Sequence, residues 1–221
     1  RCTMTSVVEV CNIALSNIRA GSINSLDENS VPAQNCKLKY NILRDRCLRE
    51  IPWQFNHKIR ALSPVTTDIF NWSYAYSYPA DCLKIHRLVG AFEELPAGSA
   101  SIQSRYRDSR IIPLKDVRRQ IPYEVFNFDD SKVIGSDQPD LRIDFAAKVT
   151  DPNLFSDDFI MALSHLMSSE LAVPIVGAEL GRALRNDSLQ LYRQYLASAI
   201  ATDMNDQYFM PSESDFVTIR N

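Results

Sequence analysis

The residues of this sequence best suited to move protons or hold a metal are its three histidines, His57, His86 and His165. A histidine becomes a base or a ligand only beside a partner. Here the three fall in three different elements. None belongs to a His-Glu-x-x-His or Cys-x-x-Cys spacing of the kind that holds zinc. His165, beside Leu163 and Leu166, reads as a helix-surface or bundle-edge residue rather than a ligand. A Gly-x-Ser-x-Gly elbow is missing, and the six glycines include no Gly-rich phosphate loop. Three carboxylate pairs occur, Glu93-Glu94, Asp129-Asp130 and Asp157-Asp158. Acid–base catalysis needs two acids converging in a cleft, whereas a loop, a turn and a helix start explain these. The expectation is therefore no catalytic residue, no cofactor and no metal.

Charge is more informative. A formal net charge of −3 disfavours a uniformly basic nucleic-acid binder. Locally, though, Arg105, Arg107, Arg110, Lys115, Arg118 and Arg119 stand against only Asp108 and Asp116, on a predicted loop and strand edge. Such an excess can discourage strand-to-strand aggregation. It can also meet an acidic face of a neighbouring subunit or a nucleic-acid backbone. Asp203, Asp206, Glu213 and Asp215 are candidates for the acidic counterpart. Over 205–221 no period survives, yet Tyr208, Phe209, Met210, Phe216, Val217 and Ile219 sit there among polar residues, with Arg220 following. Disordered tails are poor in aromatics, so this one is expected to order on a partner, by strand addition or by filling pockets.

The elements that position these residues follow from periodicity. Over 30–55 the chain reads SVPAQNCKLKYNILRDRCLREIPWQF, and Cys36, Tyr40, Leu43, Cys47 and Ile51 recur at helical steps. Ser30 caps the start, Pro32 sits in the first turn and Pro52 stops the helix. Trp53 and Phe55 follow as apolar anchors. Lys37, Lys39, Arg44, Arg46, Arg49 and Glu50 define a face expected to be wet. Before it, Ser6-Val7-Val8-Glu9 forms a capping box for a first helix, with Gly21 as its predicted stop. Trp72, Tyr74, Tyr76 and Tyr78 alternate as a strand, either packing one sheet face on the core or forming an aromatic platform at an interface. Further short extended segments, with a hairpin at Asp129-Asp130-Ser131, predict an antiparallel sheet or small sandwich. Ser156 caps a third helix that Pro174 kinks or ends. A last helix carries Leu184, Leu191 and Tyr195 on one line and Leu189, Tyr192, Leu196 and Ile200 beside it. Cys11, Cys36 and Cys47 lie on helix faces. With five cysteines and no paired spacing, no disulfide framework and a reducing compartment are expected. No window has the apolar length of a membrane span and no secretory signal is visible. Arg1 in place of Met suggests that the true start lies upstream.

The predicted class is α+β. Two helices over 1–60 and two over 150–204 close into one four-helix bundle, an antiparallel β domain over 61–149 is inserted, and 205–221 forms an extended C-terminal tail.

Several stretches, in this order and spacing, resemble the tail tubular protein A family, the head-to-tail adaptors of short-tailed phages. They are CNIALSNIRAGSINSLDENS over 11–30, YNILRDRCLREIPWQF over 40–55, WSYAYSYPADCLKI over 72–85 and LRIDFAAKVTDPNLFSDDFIMALSHLMSSELAVPI over 141–175. The resemblance implies a non-enzymatic virion protein assembled in the host cytoplasm. It implies a ring, usually of twelve copies, that joins the portal protein to a tail nozzle protein and surrounds the DNA exit channel, with only transient contact to double-stranded DNA and none to a membrane. It further implies that the C-terminal tail grips the portal. The alternative expectations are a nucleic-acid-binding module using residues 105–119 and a small hydrolase with a site assembled from distant residues.

Overall fold

The computed structural model describes residues 6–66, 71–90 and 121–205. The described chain is mixed α+β, with four α-helices and two antiparallel sheets. Helices α1 (Val7–Asn17) and α2 (Val31–Glu50) come first. Ser6 and Glu9 close the predicted capping box on α1, each side chain accepting the other's backbone N–H. The stop falls before Gly21: Ile18 is the C-cap and Arg19 takes a left-handed φ of 58°. Ser30 caps α2 as expected. At its far end, Trp53 Nε1 donates to Cys47 O at 3.0 Å and Asn56 Nδ2 donates to Leu48 O at 3.0 Å. These bonds satisfy carbonyls that the helix end leaves without partners.

Helix α3 (Asp157–Val176) is the centre of the helical part, packed on by α1, α2 and the last helix, α4 (Ala178–Asn205). Phe159, Leu163, Leu166, Met167 and Leu171 on α3 are fully buried, each stabilising the fold by about 1.5–3 kcal/mol. Trp53, Phe55, Phe155 and Phe159 form an aromatic cluster that fastens the end of α2 to the start of α3; Phe159 meets both Trp53 and Phe55 edge-on at 5.1 Å. Residues of all four helices share one apolar core. By length and composition α3 is apolar enough to cross a membrane, which corrects the expectation that no window is. Most of that window is buried within the fold, as in a core helix.

Pro174 does not end α3. The helix continues to Val176 and breaks at Gly177, whose φ of 99° is open to glycine at little cost. A Cβ on Gly181 would stand 2.9 Å from Ala172 O and Val173 Cα, so this glycine permits the close approach of α4 to α3. On α4 the periodicity places Leu191 and Ile200 on the buried face, but both are exposed; among the helix's described side chains Ser188, Tyr192 and Ala199 are buried, as is Gly181. Arg44 on α2 is also a correction. Expected to be wet, it is buried, its guanidinium bonded to Asp45 and Asn41 and lying over the Tyr40 ring. Of the two places expected for His165, the helix surface does not hold: it is buried, stacked on Tyr195 and 3.5 Å from Asn17.

Strand structure begins at His57, before the predicted boundary. Strands β1 (His57–Ala61), β2 (Pro64–Val65), β3 (Tyr74–Ser77), β4 (Cys82–Val89), β5 (Glu124–Phe128), β6 (Ser131–Ser136) and β7 (Arg142–Ala147) form two sheets. Their orders are β1-β7-β4 and β2-β3-β6-β5, all antiparallel. The predicted hairpin is present: Asp129 and Asp130 both take positive φ, 42° and 62°, as a two-residue β5–β6 turn requires. The aromatic alternation does not give one buried face, because Ala75 and Tyr76 are both buried while Tyr74 is exposed.

Candidate functional site

Two of the three histidines come together. His57 opens β1 and His86 lies on β4, and these strands flank β7 on either side. Their rings stack at 6.1 Å. Between them β7 carries Asp144 in the apolar run Ile143-Asp144-Phe145-Ala146. Asp144 is buried, with Oδ1 at 2.6 Å from His57 Nε2 and Oδ2 accepting from Arg87 Nε at 2.8 Å. The register explains the meeting, since Ile59 and Arg87 are the cross-strand partners of Asp144. A register shift in β4 between Ile85 and Arg87 sets Arg87, rather than His86, opposite Asp144.

Burial alone would push the Asp144 carboxyl up, but His57 and Arg87 hold it below the usual carboxylate range. Burial lowers His86, whose Nε2 is buried without a hydrogen-bond partner; Asp144 opposes that shift, while His57, Lys84 and Arg87 add to it. The cluster is therefore an anionic carboxylate held between His57 and Arg87, with His86 beside them as a neutral imidazole at neutral pH. Its members include no hydroxyl or thiol that could act as a nucleophile. Among the described residues no group of three or more His, Cys, Asp or Glu side chains is arranged to hold a metal.

Cys11, Cys36, Cys47 and Cys82 are buried and free. Burial pushes Cys47 up to about 12, a thiol suited to packing rather than reaction. A groove of about 660 Å³ lies between α1 and the start of α3, lined by Glu9, Asn12, Ile13, Ser16, Asp157, Ile160 and Met161.

The site residues expected from sequence lie outside the described residues. This holds for the basic segment (Arg105, Arg107, Arg110, Lys115, Arg118, Arg119) and for the tail (Tyr208, Phe209, Met210, Phe216, Val217, Ile219, Arg220). What sequence reasoning missed is the His57–Asp144–Arg87–His86 cluster. The available signal was Asp144 itself, a charge at an apolar position of a strand, which demands a partner. No protein-family model matches the chain, and no curated protein matches it.

Proposed function

We propose that this chain is a structural, non-enzymatic virion protein, a head-to-tail adaptor of the tail tubular protein A type. Copies of it form a ring, of twelve members, between portal and nozzle around the DNA exit channel. Within each copy the four helices form a bundle from which the inserted β domain projects, and the C-terminal tail reaches the portal. The observation that carries this is the shared apolar core of helices drawn from both ends of the described chain, with all the described strands between them in sequence. That arrangement fits the order of the quoted stretches. A net charge of −3 also suits a conduit, because basic walls would retain phosphate.

The test is cryo-EM of the parent particle's neck together with co-sedimentation on purified portal rings. The expected result is density for this fold in a closed ring below the portal, and loss of co-sedimentation when residues 205–221 are deleted. Absence of the chain from the neck overturns the assignment. Undiminished binding by the truncated chain overturns the role of the tail.

A further inference from the structure

Helix α2 has two apolar stripes where a surface helix needs one. The first, Cys36, Tyr40, Leu43 and Cys47, faces the core. The second, Val31, Leu38 and Ile42, faces away from it and is 58%, 70% and 68% exposed. Spacings of seven and four place these three on one line, a ridge of about 17 Å. Lys37, Arg46 and Arg49 lie around it, against Asp45 and Glu50, while Lys39 is half-buried and donates to Glu170 O of its own chain. Lys37 and Arg46 already pair on the surface with Asp27 and Glu50, but exposed pairs of this kind are weak enough to exchange.

The groove between α1 and α3 has the opposite character. Its floor is Ile13, Ile160 and Met161, its rim carries Glu9 and Asp157, and no basic residue is among those lining it. Asp158 adds a further carboxylate in the first turn of α3. An apolar ridge with basic flanks and an apolar groove with an acidic rim match in shape class and in charge. The ridge does not occupy the groove of its own chain, because it is exposed.

We propose that the outward ridge of α2 on one copy seats in the α1–α3 groove of the next copy. This rests on the ring-forming reading above and names the surface that makes the ring. The two patches lie on different elements, so the contact is heterologous and each pairing leaves a ridge and a groove open for further copies. It is a helix-in-groove contact, with affinity from the apolar ridge and register from the charged rims.

The test is sedimentation velocity of the full chain over a concentration series, with helical content checked by circular dichroism. Wild type should grow beyond a dimer as concentration rises. The ridge double variant Leu38→Ser, Ile42→Ser and the groove variant Met161→Lys should each associate about a hundredfold more weakly. Mixed at equal amounts, the two variants should form a heterodimer and stop there, because one intact ridge and one intact groove remain. Three results overturn the proposal: a wild type that stays monomeric at every concentration, a ridge variant that assembles like wild type, or a groove variant that self-associates unimpaired. Assembly indifferent to both variants removes this surface and leaves the ring reading standing. Assembly through it by a chain missing from the particle's neck does the reverse.

Discussion

Replacing Asp144 by asparagine keeps the volume of the side chain and removes its charge. In the folded chain 4% of the Asp144 side chain is exposed, whereas the His57 and Arg87 side chains paired with it are each 32% exposed. Removing one member of a fully buried ion pair costs roughly 3–5 kcal/mol, because the survivor is left uncompensated. Here both survivors reach water. The loss therefore falls toward that of a charge-assisted hydrogen bond, about 2 kcal/mol. For a chain of this size that corresponds to a drop in Tm of about 4–8 °C. Urea unfolding followed by circular dichroism at pH 7 measures it directly.

The pH dependence has a defined sign. Burial pushes Asp144 up, but His57 and Arg87 more than offset this and place its folded pKa below the reference value of 3.8. A carboxyl with a lowered folded pKa contributes stability that is full above the unfolded pKa and is lost as pH falls through the folded one. The gap between wild type and Asp144→Asn should therefore persist down to about pH 4 and close only below it. A variant within about 0.5 kcal/mol of wild type at pH 7, the range of ordinary surface changes, would refute the reasoning. So would a gap that vanishes well above the carboxylate range.

Gly177→Ala should cost about 1–3 kcal/mol, because its φ of 99° and ψ of 170° strain any side chain while nothing within 4 Å offers a contact in return. Gly21→Ala, with surroundings as open and no positive φ, should change stability by less than about 0.5 kcal/mol, and paired thermal melts compare the two. For Gly181→Ala, the helix-propensity gain of about 1 kcal/mol meets backbone atoms at 2.9 Å; overpacking of about 1–3 kcal/mol should win, and a raised Tm would count against that close approach. Burial holds His165 below its ordinary value of 6.5, so stability is full above about pH 6.5 and declines as pH falls toward the lower folded pKa. His165→Asn, set beside Asn17 and Tyr195, should remove part of that decline, with His86 accounting for another part. Tm measured from pH 7 to 5 decides, and an unchanged slope counts against His165.

The helix starts were legible in the sequence because capping is local chemistry. Ser6 with Glu9, Ser30 and Ser156 each act on backbone N–H groups three residues away, a distance that sequence spacing encodes. The β5–β6 hairpin was legible for the same reason, since Asp129 and Asp130 tolerate the positive φ the turn needs. The inward stripe of α2 followed from its period. The ends of α1 and α3 were less legible, because Arg19 and Gly177, rather than Gly21 and Pro174, take the conformations that close them.

The His57–Asp144–Arg87–His86 cluster could not be read in advance, because its members are separated by up to 87 residues and meet only through strand register. The fates of Arg44 and Leu38 were undecidable for a related reason. Periodicity locates faces on a helix, but which of them is covered depends on what the rest of the chain brings up against it. Arg44 could be buried because Asp45, Asn41 and the Tyr40 ring surround its guanidinium. Leu38 stays exposed because no described part of the chain packs over that side of α2. Local hydrogen bonding and period are properties of neighbours in sequence; burial and charge pairing are properties of neighbours in space, and only the folded chain makes those.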